Sequence, residues 1–184
     1  EIKGKKENLE NAITSYQEAI TSTSLMDSPI HYAALQHKVG SVNIKLAEVS
    51  EKEENLENAL TAFQEALKIK TIKSYPLDYG QIQNELGIAY EQLASVKDTV
   101  QNLENAVTAF QEASKVKTDI LTYAGRQNNL GVSYWRLSRI KDKKQNLLHA
   151  LHYFEEAEKG YTSDSEDYAR ITTIITIIKK DLRE

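Results

Sequence analysis

The segment KEENLENALTAFQEALK, residues 52–68, contains the five-residue motif NLENA, which decides the interpretation of the whole chain. The same motif occurs in KKENLENAITSYQEAI at 5–20 and in TVQNLENAVTAFQEAS at 99–114. A fourth copy, QNLLHALHYFEEAE at 145–158, keeps the first asparagine and the alanine. The first asparagines, Asn8, Asn55, Asn102 and Asn146, lie 47, 47 and 44 residues apart. Self-similarity at such a period is typical of a solenoid of tandem repeats.

Each copy predicts one amphipathic helix, which we name helix B. An alanine, an aromatic residue and a second alanine follow the first asparagine, and their spacing of four and then three residues places them on one helical stripe. The stripes are Ala12, Tyr16, Ala19; Ala59, Phe63, Ala66; Ala106, Phe110, Ala113; and Ala150, Phe154, Ala157.

The segments between these copies predict a second amphipathic helix, helix A, over 31–49, 78–96 and 122–140. Its stripe has the helical period. The stripe residues are Tyr32, Leu35, Val39, Leu46; Tyr79, Ile82, Leu86, Leu93; and Tyr123, Arg126, Leu130, Leu137. Gly40, Gly87 and Gly131 fall in mid-helix, where glycine costs about 1 kcal/mol relative to alanine. We therefore expect another backbone to pass too close to these positions for a Cβ atom.

Two interpretations explain the first asparagine of each copy. Asn102 and Asn146 suit the N-cap of helix B, where the side chain accepts from an amide two or three residues on. Alternatively the helix begins earlier, at capping boxes formed by Ser50 with Glu53, Asp98 with Gln101 and Asp142 with Gln145. We favour the earlier start. The second asparagine is His149 in the last copy, so we expect it to be exposed.

The composition excludes several classes of function. The chain has 184 residues, of which 40% are hydrophobic and 27% charged, as in a soluble folded protein. Its net charge of -4 gives no global positive field for nucleic acid or anionic lipid. No apolar run approaches the about 18 residues of a transmembrane helix, and the first residues given do not resemble the apolar segment of a signal peptide. Cysteine is absent. We expect a cytoplasmic protein without membrane or nucleic-acid partners.

The repeat resembles the tetratricopeptide repeat. Leu86-Gly87 with Tyr90, followed by Ala106, Phe110 and Ala113, matches that family's pattern, and Asn102-Leu103 resembles the entrance to its second helix. The period here exceeds the usual roughly 34 residues. Gln36, Gln83 and Gln127 stand where the family carries a large aromatic residue. The motifs QNELG, QNNLG and NLENA are similar to repeats found beside CHAT-peptidase or signalling-ATPase domains in bacterial multidomain proteins.

The resemblance implies an all-α fold, an α-solenoid in which TPR-like helix pairs form a right-handed superhelix of about eight helices. The A helices would line a concave groove that holds a peptide or protein segment. We assign residues 1–184 to a single solenoid. Its parts are a partial repeat at 2–25 (helix B), repeats at 26–72, 73–117 and 118–161, and a C-terminal capping helix at 162–184.

Both ends of the sequence carry expectations of their own. Residues 1–8 align with 139–146, which would make Glu1 and Ile2 the end of an A helix and the chain a fragment of a longer protein. The isoleucine-rich stretch DYARITTIITIIKKDL, 167–182, is rich in β-branched residues, yet its register with the other A helices predicts a helix. There Thr176 takes the place of the glycine.

No motif for catalysis, phosphate binding or zinc binding is present, and most carboxylates repeat with the scaffold. We therefore expect no enzyme activity, cofactor or metal; His149 and His152 are expected to be surface residues, since a lone helical pair lacks further zinc ligands. Candidate partner-binding residues are those that vary between the A helices on the face away from the stripe. They are His37, Ser41, Lys45, Asn84, Ile88, Gln92, Asn128, Val132, Trp135, Arg136 and Arg139.

Trp135 allows two interpretations. Together with Arg136 and Arg139 it offers apolar area and guanidinium donors for an acidic or C-terminal carboxylate segment. Alternatively it packs against the next A helix around Ile171. The carboxylate clamp known in some members of the family pairs lysine with asparagine, and here the groove asparagines have no matching lysines.

Three functions are consistent with the sequence. The first is a protein-protein interaction or regulatory scaffold module that binds a peptide or protein segment in the groove. The second is a structural self-association unit, in which the chain pairs with itself through the exposed N-terminal helix. The third is a substrate- or activator-sensing domain of a CHAT-type peptidase.

Overall fold

The computed structural model describes residues 2–22 and 28–183, and the regular structure of this part is entirely helical. Eight helices follow one another along it. They are α1 (Ile2–Ser22), α2 (Pro29–Ala47), α3 (Lys52–Leu67), α4 (Pro76–Leu93), α5 (Thr99–Ser114), α6 (Ile120–Ser138), α7 (Lys143–Glu158) and α8 (Glu166–Asp181). The predicted all-α fold is confirmed, and the isoleucine-rich stretch is helix α8 rather than a strand.

The helices pack in chain order, each against its neighbours in sequence, which gives a solenoid-like arrangement. The B helices are α1, α3, α5 and α7, and the A helices are α2, α4, α6 and α8. Contacts of α2 with α4 and of α4 with α6 also join successive A helices directly.

The predicted stripes form the core. Phe63, Phe110 and Phe154 are completely buried, each in its own cluster of apolar side chains. Burying one such side chain is worth about 1.5–3 kcal/mol. Each cluster joins a B helix to the A helices on both sides of it, which makes the core continuous along the solenoid.

The mid-helix glycines do allow a close approach, but the expected neighbour was wrong. A Cβ atom at Gly87 would lie 2.5 Å from the ring of Phe110, and one at Gly131 would lie 2.9 Å from the ring of Phe154. The neighbour is therefore the aromatic ring of the following B helix rather than a backbone. Thr176 in α8 is exposed, and no B helix of the described chain follows it.

Neither predicted cap of the B helices is present. The helices begin after Glu51, Asp98 and Asp142, whose φ angles of 36°, 44° and 46° are left-handed, and none of these side chains makes a capping hydrogen bond. An N-cap side chain normally caps from extended backbone. The left-handed backbone directs the side chain away from the amides of the first turn, so the capping boxes do not form. The prediction that each B helix begins before its first asparagine is confirmed.

The first asparagine donates instead of accepting. The Nδ2 atoms of Asn55, Asn102 and Asn146 donate to the carbonyl oxygens five residues earlier, at distances of 2.8, 2.9 and 2.8 Å. All three side chains are buried. The asparagine therefore fixes the turn between helix A and helix B by satisfying a carbonyl that the helix leaves free. This clamp explains why asparagine recurs there.

In α3 and α5, the glutamate and the second asparagine of the NLENA motif lie nearer the surface than the other three residues. Lys97 contacts Glu57 and, at 2.9 Å, Glu53 of the preceding B helix, and Lys141 contacts Glu104 in the same way. The glutamate of the motif thus links one B helix to the turn of the next repeat. The second asparagine is exposed at Asn11 and Asn58, as expected, whereas Asn105 is half-buried and accepts from Gln101.

At the N-terminal end, Ile2 lies within α1, a B helix, so the prediction that it ends an A helix is wrong. Glu1 lies outside the described residues. Across 2–22 and 28–183, no helix has the length and apolar character needed to cross a membrane.

Candidate binding groove on the A-helix face

Two adjoining cavities open on the A-helix face. The first, of about 440 Å³, lies between α2 and α4 and is closed at one end by Tyr16 of α1. The second, of about 560 Å³, lies between α4 and α6. Gln81, an exposed residue of α4, lines both. The two cavities therefore lie side by side along the A face, from α2 to α6, and we refer to them together as the groove.

The first cavity contains three predicted residues, His37, Ser41 and Lys45. Glu85 on α4 ties two of them to the next helix: Ser41 donates to Glu85 Oε2, and His37 Nε2 lies 3.3 Å from Glu85 Oε1 without an aligned hydrogen bond. Burial alone would raise the pKa of Glu85, but the contacts from His37 and Ser41 outweigh it, so the pKa is lowered. A carboxylate thus holds α2 and α4 together at the wall of the cavity.

Two further lysines line the first cavity. Lys38 lies over the ring of Tyr16, 5.9 Å from its centroid. Lys70 is 8% exposed, and its Nζ atom lies 2.6 Å from Asp78 Oδ2 and 4.3 Å above the ring of Tyr75. Sequence reasoning missed both residues, because Lys38 lies beside the predicted face and Lys70 follows α3 in a turn with no helical register.

The second cavity is lined by amides. Asn84 and Asn128 were predicted, and Asn129 joins α6 to α4 through Nδ2, which donates to Asn84 Oδ1 at 3.3 Å. The Oδ1 atom of Asn128 is buried without a donor. Leu77, which is 67% exposed, adds an apolar surface at the edge. This cavity thus offers hydrogen-bonding groups beside one aliphatic side chain.

Arg126 lines the second cavity and has a structural role. Arg126 is buried, as its position on the apolar stripe predicts, and only 6% of the residue is exposed. Nη1 donates to the carbonyl oxygens of Ala113 at 2.6 Å and Val116 at 3.3 Å, so the guanidinium caps the end of α5. Burial lowers the pKa of Arg126.

The remaining predicted residues lie on the A helices but line neither cavity. Ile88 and Val132 are half-buried against the core, Gln92 is half-buried, and Arg139 is exposed. Arg136 is bound by the preceding A helix, α4: its Nη1 donates to the backbone oxygen of Glu91 at 2.9 Å and to Glu91 Oε1 at 3.2 Å. Burial raises the pKa of Glu91 despite this contact.

Trp135 is half-buried and packs against the core cluster that contains Ile171, which agrees with the second interpretation of this residue. Its ring meets Phe154 edge to face at a centroid distance of 6.5 Å. The Arg139 guanidinium lies 4.7 Å from the Trp135 ring. Trp135 therefore packs on the core of the last helix pair, and Arg139 covers its ring from outside.

The two histidines of α7 are exposed, as predicted. His149 stacks on Tyr134 at a centroid distance of 4.8 Å, and His152 meets Tyr153 at 5.1 Å. Aromatic packing therefore accounts for both positions.

A scan against models of known protein families finds no match to this chain, and a search of curated proteins finds no similar protein. The site is therefore interpreted from its own residues.

Proposed function

We propose that this protein is an interaction module, of the tetratricopeptide class, that binds an extended polypeptide segment in the groove formed by the two adjoining cavities. The proposal includes a cytoplasmic, regulatory or scaffolding role. The observation that carries it is that the two cavities adjoin at Gln81, so that one extended segment could occupy both. Each cavity alone falls in the range of roughly 300–1,000 Å³ that suits a side chain or small ligand.

Amide chemistry favours a polypeptide as the ligand. A primary amide side chain offers both donors and an acceptor, which matches the N–H and C=O groups of an extended backbone. Gln81, Asn84 and Asn128 place such groups along the groove, and the buried Asn128 Oδ1 has no donor within the described chain. An incoming N–H would satisfy it, which removes the free-energy cost of an unpaired acceptor.

The side chains at the two ends of the groove differ, which gives the ligand a direction. The cavity between α2 and α4 carries Lys38, Lys45 and Lys70 against Asp78, whereas the cavity between α4 and α6 has Leu77 at its edge. An acidic side chain is favoured at the first end and an aliphatic one at the second. Core positions repeat between pairs while these positions do not, as expected where recognition rather than folding selects the residue.

The test uses random peptides displayed on phage, selected against the protein and then measured by calorimetry. Gln81→Trp places a bulky ring where the two cavities meet and is expected to weaken the selected peptides by at least about tenfold. Gln64→Trp is the matched control, because Gln64 is an equally exposed glutamine on helix α3. Equal binding to wild type and Gln81→Trp, or a selection that enriches no peptide, would overturn the proposal.

No specific contact favours self-association over peptide binding. Leu9, Ile13, Tyr16 and Ile20, the apolar residues of α1, are half-buried in the single chain, and α1 packs on α2. Light scattering over a wide concentration range separates the two functions. Groove binding predicts a constant mass, and self-association predicts a mass that rises with concentration.

A further inference from the structure

Three slots lie between successive B helices, each above the A helix that separates them. In two of them a tyrosine three residues after the mid-helix glycine extends into the slot: Tyr90 above α4 and Tyr134 above α6. Beside the Tyr134 ring a smaller cavity of about 350 Å³ remains. Tyr90 packs against the core clusters on both sides of it, and so does Tyr134. At the same register α2 carries Asn43, which has no ring to place between α1 and α3.

The contacts of Tyr134 define what such a slot accepts. Its hydroxyl accepts from Gln111 Nε2 at 3.3 Å. Its ring stacks on Tyr153 at 5.5 Å with an interplanar angle of 8°, and on His149 at 4.8 Å. The slot thus holds an aromatic ring between two B helices and binds the hydroxyl through a glutamine.

The slot above α2 is an open cavity of about 450 Å³. The residues aligned with the three partners of Tyr134 all line it: Gln17 aligns with Gln111, Asn58 with His149 and Ala62 with Tyr153. Ala62 is the smallest of the three residues. It leaves open the space that the Tyr153 ring occupies beside Tyr134 in the other slot. Ile13, Val39 and Leu46 supply its apolar floor.

Asn43 closes the base of this slot and is not available to fill it. The residue is 3% exposed, and its Nδ2 atom donates to the backbone oxygen of Val39 at 2.9 Å. The side chain is therefore held against its own helix. A ring that entered the slot would cover Val39 and Leu46 and bring its hydroxyl to Gln17.

We propose that the slot between α1 and α3 is a binding site for a tyrosine side chain presented by a partner protein. The occupant is inferred from the tyrosines that lie in the two equivalent slots of this same chain, one of which keeps a cavity about 100 Å³ smaller (about 450 Å³ against about 350 Å³). Glu10 and Glu65 are the charged residues among the described lining, so the site favours the neutral phenol over a tyrosine phosphate. The site lies on the B-helix side and is independent of the groove on the A face.

The test is a titration followed by NMR of the methyl groups. N-acetyl-L-tyrosinamide is the probe, with N-acetyl-L-alaninamide and the phosphorylated tyrosine derivative as controls. We expect saturable shifts of the Ile13, Val39 and Leu46 methyl signals with the first probe, and at least about tenfold weaker binding of the other two. Shifts of equal affinity with either control would overturn the proposal.

Two variants locate the binding in the slot. Asn43→Tyr fills the slot with the chain's own ring and is expected to abolish the shifts. Tyr90→Asn empties the slot between α3 and α5, where Gln64, Asn105 and Ala109 match Gln17, Asn58 and Ala62, and is expected to create a second site seen at Leu60, Leu86 and Leu93. If Asn43→Tyr retains the shifts, or Tyr90→Asn folds and gains no second site, the proposal is wrong.

Discussion

The junction inside each helix pair and the seam between successive B helices are built in opposite ways. At the junction, a completely buried phenylalanine lies against a glycine, and a buried asparagine fixes the turn. At the seam, exposed lysines reach glutamates of the preceding repeat, as Lys97 reaches Glu53 at 2.9 Å. The junction is the same in three pairs, whereas in the first seam Ser50 replaces the lysine and a different ion pair, Lys6 with Glu51 at 3.2 Å, joins α1 to the start of α3.

This difference shows where the chain tolerates change. Close packing penalises any change of volume at the junction, because neighbouring atoms cannot move away. An exposed ion pair contributes little to the free energy of unfolding, so the residues that form it can differ from one seam to the next. Four substitutions test this contrast, in order of decreasing expected effect.

Phe110→Ala removes the ring from the junction of α4 and α5. We expect it to lower the free energy of unfolding by about 3–5 kcal/mol, measured by urea titration with circular dichroism. Tyr16→Ala is the matched control, because Tyr16 holds the equivalent position in α1 but is half-buried. A loss for Phe110→Ala no larger than that for Tyr16→Ala would mean that the junction is not the main source of stability.

Gly87→Ala places a methyl group 2.5 Å from the Phe110 ring. We expect a loss of about 1–3 kcal/mol, because the buried ring has no free space to enter. In the Phe110→Ala background the same change is expected to stabilise by about 0.5–1 kcal/mol, since alanine is the better helix former.

Gly4→Ala serves as the control for that pair, because a Cβ atom at Gly4 meets nothing within 4 Å. It is expected to stabilise α1 in either background. If Gly87→Ala has the same sign with and without the ring, the glycine does not serve the phenylalanine.

Asn102→Ala removes the donor to the carbonyl of Lys97. Because that acceptor is left unpaired in the turn, we expect a loss of about 1–3 kcal/mol in the same unfolding measurement. Asn105→Ala, the second asparagine of the same motif, is expected to change stability by less than about 0.5 kcal/mol. Equal losses for the two variants would refute the clamp.

Lys97→Met tests the seam and has the smallest expected effect. It removes the contacts to Glu53 and Glu57 while keeping most of the aliphatic chain. We expect a loss smaller than that of Asn102→Ala, and one that disappears in about 1 M salt because screening weakens exposed ion pairs. A loss that persists at high salt would show that packing, rather than charge, acts at the seam.

The sequence predicted the helices well because their stripes follow the 3.6-residue period. Phe63, Phe110 and Phe154 are all buried as the pattern indicates, and even Arg126 occupies its stripe position. The atoms that meet across the fold were harder to predict. The ring beside Gly87 comes from another helix, and its identity depends on how the two helices dock.

Caps illustrate the same limit. The capping boxes at Asp98 and Asp142 depend on backbone angles that a residue pattern does not fix, and the left-handed turn prevents them. Side-chain caps do occur at two A helices, where Asp119 accepts from the Thr122 amide at 2.9 Å and Ser165 from the Tyr168 amide at 3.1 Å.

For the groove, the helical register of the A helices predicted which variable side chains lie on the A face. Whether a side chain such as Lys45 lines an open cavity or, like Arg136, is bound by the neighbouring helix depends on the spacing between helices. That spacing is a property of the packed array. A single sequence therefore indicates the face but not the gaps that remain open in it.

The left-handed residue at the start of α3 is a position where a substitution could raise the stability of the protein. Glu51 has a φ of 36°, a conformation that costs an ordinary L-residue about 1–2 kcal/mol and that asparagine and glycine adopt more readily. Its one described ion pair, with Lys6 at 3.2 Å, is on the surface. Replacement of Glu51 by asparagine is thus a simple first step toward a heat-resistant form of the protein.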